Sequence, residues 1–166
     1  MKETVCIILT ITTLFCLIGC SNREAPMEKP AMYYYCTDAA SYKSSRKTID
    51  FETRETVAHN DLQSLLNDYL EGPLTDALVN PFPDGSSVES LQFDGAEALV
   101  TLNSKFSRLV GKELILACSC FSLTLFGLAD CQSISFQVND ATLDDSDRIT
   151  MHRNDIILES ETPELS

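Results

Sequence analysis

The sequence predicts an α+β fold in a single compact domain, with two helices packed on a mixed or antiparallel sheet in the order β-β-α-β-β-α-β. Three observations carry this. The runs KTIDFET, SVESLQF, AEALVTL and QSISFQV alternate apolar and polar residues, the period of a strand with one covered face. Two other segments follow the helical period, one around Leu62 to Leu70 and one through LILACSCFSLTLFGLA. Finally, Asp94-Gly95 stands between two alternating runs, which is a strong short-range hairpin signal. Strands with a single apolar face need cover, and the helices supply it.

The first strand is AMYYYC, a β-rich stretch with three consecutive tyrosines. TDAASYKSSRK reads as a loop. In KTIDFET, Ile49 and Phe51 alternate against Thr48, Asp50 and Glu52, so the two apolar residues are expected inward and the polar ones outward. Leu62, Leu65, Leu66, Tyr69 and Leu70 then fall on one helical stripe. Asn60 or Asp61 can cap that helix, unless it starts earlier near Val57. Gly72-Pro73 stops it, because proline has no N–H to continue the ladder.

Pro83-Asp84-Gly85 turns the chain into the hairpin pair. On its second strand Ala98, Val100 and Leu102 share a face. The segment LILACSCFSLTLFGLA is apolar nearly all round. It is too short for a bilayer span of about 20 apolar residues and contains Ser119, Ser122 and Thr124. It reads as a helix buried on most sides. Ile134, Phe136 and Val138 form the apolar face of the closing strand, with a possible further strand at residues 148–152. No internal repeat is visible.

Residues 1–19 read as a lipoprotein signal peptide: a short polar start, then the apolar run VCIILTITTLFCLI. It ends in Leu17-Ile18-Gly19-Cys20, the pattern of a lipobox. In that class of protein the Cys20 thiol receives a diacylglycerol and the preceding peptide is removed. Acyl chains then hold the protein to the membrane, at about 0.8 kcal/mol per buried methylene. Residues 20–30 are a polar tether, 31–140 the folded domain, and 141–166 an acidic extension with at most one more strand and a frayed end. This places the chain outside the cytoplasm, on the cell membrane. The net charge of −13 repels nucleic acid and anionic lipid, which argues against DNA or RNA as partners.

Of the seven cysteines, Cys6 and Cys16 leave with the signal and Cys20 is acylated. Cys36, Cys118, Cys120 and Cys131 remain, and four thiols allow three disulfide pairings, among which the spacing does not choose. Two residues apart on a helix point roughly 200° from each other, so Cys118 and Cys120 do not suit one metal ion or one disulfide. Buried apolar thiols are the favoured reading, with a Cys131 bridge to Cys118 or Cys36 left open.

The run LQSLLNDYLEGPLTDALVNPFPDGSSVESLQFDGAEALVTLNSKFSRLVGKE resembles the GerMN domain. The shared features are a leucine-rich helix closed by Gly72-Pro73, the turn Pro83-Asp84-Gly85, strands at 88–93 and 98–103, a hydrophobic helix at 114–128 and a last strand at 134–138. The resemblance implies a non-enzymatic, secreted or lipid-anchored bacterial module. Its expected partners are cell-envelope proteins, among them sporulation or germination proteins, or further copies of itself. It assigns no catalytic residue and no cofactor.

No catalytic constellation stands out among the residues themselves. No G-x-S-x-G elbow is present, Ser86-Ser87 follow a turn with no base nearby in sequence, and His59 and His152 are better read as surface residues. The acids Asp68 with Glu71, and Asp76 with Asp84, are better read as solvated than as glycosidase pairs. The stretch NDATLDDSD is dense in oxygen ligands but lacks the EF-hand spacing, so no metal site is assigned. Tyr33 and Tyr35 are the candidate partner-binding residues, since three tyrosines in one strand cannot all face the same side; sheet packing explains them as well. The alternative function is an envelope enzyme or regulator acting on peptidoglycan through a surface cleft.

Overall fold

The computed structural model describes residues 30–55, 61–139 and 148–156. Its elements are β1 (Pro30–Thr37), α1 (Ala39–Ser45), β2 (Ile49–Glu55), α2 (Leu62–Leu70), β3 (Leu78–Val79), β4 (Val88–Asp94), β5 (Glu97–Asn103), α3 (Gly111–Leu128), β6 (Ser133–Asn139) and β7 (Ile149–His152). Short 3-10 turns follow β5 at Ser104–Arg108 and β7 at Arg153–Asp155. The α+β class is as expected from sequence. The strands, however, form two sheets rather than one, ordered β2-β1-β3 and β4-β5-β6-β7. Alternation tells which face of a strand is apolar and is silent about which strand lies beside it.

The helix α1 falls where the sequence suggested a loop. Asp38 caps it by accepting a hydrogen bond from the Ser41 amide at 2.6 Å, and Arg46 ends it in the left-handed region at φ 61. No residue of α1 is buried. It therefore lacks the apolar stripe by which a helix announces itself in sequence.

In the four-stranded sheet, β4 and β5 form the expected hairpin, with Gly95 at positive φ in the turn. β5 and β6 run parallel. A parallel neighbour needs a crossover, and α3 is that crossover. β7, at the position of the possible extra strand, pairs antiparallel with β6. Ala98, Val100 and Leu102 are fully buried, as are Ile134 and most of Phe136. On the opposite face Ser135 donates to Glu97 at 2.7 Å and meets the Thr150 hydroxyl at 3.0 Å.

Helix α2 starts at Asp61, whose carboxylate accepts from the Ser64 amide at 2.8 Å, and it buries Leu66, Tyr69 and Leu70. Its polar side covers the end of β4. Asn67 Oδ1 accepts from the Val88 amide at 2.7 Å, and Gln63 Nε2 donates to the Val88 and Glu89 carbonyls. Those backbone groups would otherwise lie along an open sheet edge. The expectation that this segment is too short for a span is corrected on length: α3 runs to 18 residues and is long and apolar enough to cross a membrane by length and composition alone. In the fold it packs against β1 and reaches β7, burying residues on most of its faces, from Ala117 and Cys118 through Phe126.

Candidate functional site

The tyrosine strand β1 is the centre of the three-stranded sheet and has two different faces. Its inner face carries Tyr33 and Tyr35. Tyr35 stacks at 4.9 Å on Tyr69 of α2, Tyr33 lies 5.8 Å from the same ring, and Tyr69 in turn meets Phe82 and Phe121. Tilted and edge-on contacts of this kind suit the ring quadrupoles. Tyr33 keeps only 3% of its surface exposed and Tyr35 none. The expectation that these two residues meet a partner is therefore corrected: both are core. The alternation that divides the three tyrosines is real, but the covered face is the one carrying two of them.

Burial also pushes the Tyr69, Tyr35 and Tyr33 hydroxyls above the usual phenol range, Arg54 lowering the latter two only in part. Two of these hydroxyls donate to backbone. Tyr35 donates to the Tyr69 and Gly72 carbonyls, and Tyr69 donates to the Tyr34 carbonyl at 2.6 Å.

On β2 the expected sidedness is reversed at residues 51 and 52, while Ile49 packs against the core as expected. Glu52 is buried and Phe51 is 45% exposed. The reason is a polar cluster that the alternation rule treats as surface. Arg54 donates to Glu52 at 2.8 Å, to the Tyr35 hydroxyl at 2.8 Å and to the Gly72 carbonyl at 2.7 Å. Its guanidinium also lies 4.9 Å from the centre of the Tyr33 ring. The Glu52 carboxylate accepts from the Leu74 and Thr75 amides at 3.0 to 3.1 Å. Burial pushes the Glu52 carboxyl up, but the Leu74 amide and Arg54 outweigh it and hold it below the ordinary carboxylate range. The cluster ties the Gly72–Pro73 turn to the sheet.

The outer face of β1 and β2 presents Met32, Tyr34 and Phe51. Tyr34 and Phe51 are directly paired, their rings 5.5 Å apart, and the Tyr34 hydroxyl points to the Met32 sulfur at 3.7 Å. The same pair defines an edge. The Tyr34 amide donates to Thr124 Oγ1 of α3 at 2.9 Å, and its carbonyl accepts from Tyr69. Both groups thus point away from β2, which makes Tyr34–Phe51 a non-hydrogen-bonded pair. The Phe51 amide and carbonyl consequently point outward from the far side of β2. The amide is held by Asp50 Oδ1 at 3.0 Å. Among the described residues no strand pairs with that side of β2.

Other candidates are dispersed. Cys20, His59 and residues 140–147 lie outside the described residues. His152 is exposed on β7, and Asp68, Glu71, Asp76 and Asp84 are all exposed. Cys36, Cys118, Cys120 and Cys131 are free thiols, the last three buried. Among the described residues no group of three or more His, Cys, Asp or Glu is arranged to hold a metal. A cleft of about 340 Å³ opens beside Cys36, between the Asn80–Pro81–Phe82–Pro83 loop and Leu109, Glu113 and Leu116. An apolar cavity of about 450 Å³ lies between Phe106, Leu114, Cys118, Phe136 and Ile149. Neither lining contains a pair of carboxylates. The residues missed from sequence are Glu52, Arg54 and Thr124. An acid and an arginine two apart in a strand share a face, and that was the available signal.

No protein-family model matches the chain, and comparison with curated proteins returns no match. Among solved structures, the fold is similar to the tandem GerMN domains of the sporulation protein GerM from Bacillus subtilis, at 16% identity and a TM-score of 0.50. That alignment covers 75% of this chain and 43% of the other, so the chain spans less than half of the tandem structure. It is similar also to the first GerMN domain of the same protein, at 13% identity and a TM-score of 0.51, covering 69% of this chain and 86% of that one. The likeness is one of fold: the described residues adopt a GerMN-like α+β arrangement.

Proposed function

We propose that this chain is a lipid-anchored extracytoplasmic module that works by binding another protein of the cell envelope. The contact is the outer face of β1 and β2 together with the edge of β2 that no described strand covers. The observation that carries this reading is the coincidence of an apolar patch with a strand edge that no described strand covers. Phe51 supplies both, since its ring faces solvent beside Tyr34 and Met32 while its backbone points away from the sheet. A partner strand added there gains main-chain hydrogen bonds and an apolar anchor together. The GerMN-like fold supports a binding role, and its occurrence in a sporulation protein favours sporulation or germination proteins as the partner class. The lipobox at Cys20 supports the location.

A photo-crosslinking residue placed at Thr53, exposed on this face, tests the reading in intact cells. Adducts of discrete mass are expected, lost in Phe51→Lys and retained in Phe93→Lys, which changes an exposed ring on the other sheet. Absence of adducts, or equal loss in both variants, overturns it.

A further inference from the structure

Cys36 and Cys120 are brought together by matched strides on two elements. Tyr34 and Cys36 lie two residues apart on β1, about 6.8 Å. Thr124 and Cys120 lie one turn apart on α3, about 6 Å. The Tyr34 amide is bound to Thr124 Oγ1 at 2.9 Å, and the Thr124 hydroxyl donates back to the Cys120 carbonyl at 3.0 Å. Cys36 in turn lines one cleft with Leu116 and Glu113, so β1 and α3 run in opposite senses here, and one step along each element from the Tyr34–Thr124 anchor sets Cys36 against Cys120. Cys118 points to another side of the helix, into the wall of the apolar cavity. Cys131 is buried after the end of α3, where its carbonyl accepts from Arg153.

The pair is also asymmetric in access. Cys120 is fully buried, whereas Cys36 is half-buried and lines the cleft formed with Val79, Pro81, Phe82, Leu109 and Glu113. A reagent reaching the protein meets Cys36 first.

We propose that Cys36 and Cys120 form a thiol–disulfide exchange pair that reacts with low-molecular-weight disulfides through this cleft and closes to an intrachain bond. The Cys36 thiolate attacks one sulfur of the external disulfide; a Cys36–S–S–R bond forms, the original S–S bond breaks, and one R–S⁻ leaves. Cys120 then gives up its proton and attacks the Cys36 sulfur. The Cys36–Cys120 bond forms, the mixed disulfide breaks, and the second R–S⁻ leaves. Two protein thiols are oxidised by two electrons, the external disulfide is reduced to two thiols, and the two cysteine protons end on those thiols.

The local chemistry agrees with this order. The neighbouring Cys120 side chain lowers the Cys36 thiol, burial opposes it, and Lys112 lowers it further. The same contact raises Cys120, as burial does. Burial raises the Cys118 thiol to about 12, and what sets it apart from Cys120 is its direction, into the apolar cavity and away from Cys36. The closed bond would join β1 to α3 two residues along the strand from Tyr34. The proposal needs only an external disulfide and stands whether or not that face binds a partner.

The test treats the full chain with oxidised glutathione and maps its cysteines by mass spectrometry. The expected product is a Cys36–Cys120 crosslinked peptide, preceded in time by a glutathione adduct on Cys36. Cys120→Ser should retain that adduct, and Cys36→Ser should leave Cys118, Cys120 and Cys131 unmodified, circular dichroism verifying that each variant folds. Should a variant fail to fold, the time course of the native chain carries the test by itself. A link from Cys36 to any other cysteine, a permanent adduct on Cys36 in the native chain, or no reaction at Cys36 overturns the proposal.

Discussion

Glu52 and Arg54 occupy the inner face of β2, and each completes what the other leaves unpaired. The carboxylate takes the Leu74 and Thr75 amides, while the guanidinium takes the Gly72 carbonyl and the Tyr35 hydroxyl. Their N–O separation is 2.6 Å, with side chains almost wholly out of water. Removing one partner strands the other, so Glu52→Ala is expected to cost about 3–5 kcal/mol in urea unfolding at neutral pH. The double change Glu52→Leu with Arg54→Met should cost less than Glu52→Ala, because it strands no charge and leaves only the neutral Leu74 and Thr75 amides without their acceptor. The pH dependence follows from the lowered carboxyl. A depressed folded value contributes stability that is present above the ordinary glutamate range and is lost as pH falls through the folded value. Native protein should therefore lose stability below about pH 4.3, the ordinary glutamate value, and Glu52→Ala should have a shallower acid limb. Parallel acid limbs would show that Glu52 is not the linked group.

The elements are joined largely by side chains that complete another element's backbone. α2 covers β4 through Asn67 and Gln63, and α3 covers β1 through Thr124. The turn after α2 is held likewise: Gly72 sits at φ 121, and a Cβ there would come 3.1 Å from Asn80 Nδ2, which donates to the Leu70 carbonyl. Thr124 gives the cleanest test of this principle. Thr124→Val keeps the shape and removes the acceptor, leaving the Tyr34 amide unpaired beside a buried helix, at a cost of about 1–3 kcal/mol. Thr124→Ser should retain most of the stability. Hydrogen exchange at the Tyr34 amide should quicken in the valine variant alone; unchanged exchange would mean that another acceptor takes over.

At the scale of the whole molecule, the proposed anchor at Cys20 separates location from fold. Cys20→Ala should move the full chain from the membrane to the soluble fraction of cells, while the melting temperature of the domain stays the same. Retention in the membrane fraction would sink the lipoprotein reading. The two-sheet architecture makes this separation reasonable, since the buried residues run from Tyr33 to Phe136 and form one core cluster.

The sequence by itself determined the α+β class, the main strands and both apolar helices, because these depend on the local period of apolar residues. It also located the Asp94–Gly95 hairpin and the Gly72–Pro73 stop, which are matters of backbone chemistry over a few residues. Tertiary structure decided the rest. The capped helix α1 buries nothing and so leaves no periodic trace. The division into two sheets depends on partners distant along the chain. The reversal of β2 turns on Arg54, Tyr35 and the Gly72 carbonyl meeting Glu52 from separate elements. Tyr33 and Tyr35 became core, and Phe51 became surface, for the same physical reason: a residue's face is set by alternation, but which face meets water is set by what packs against it.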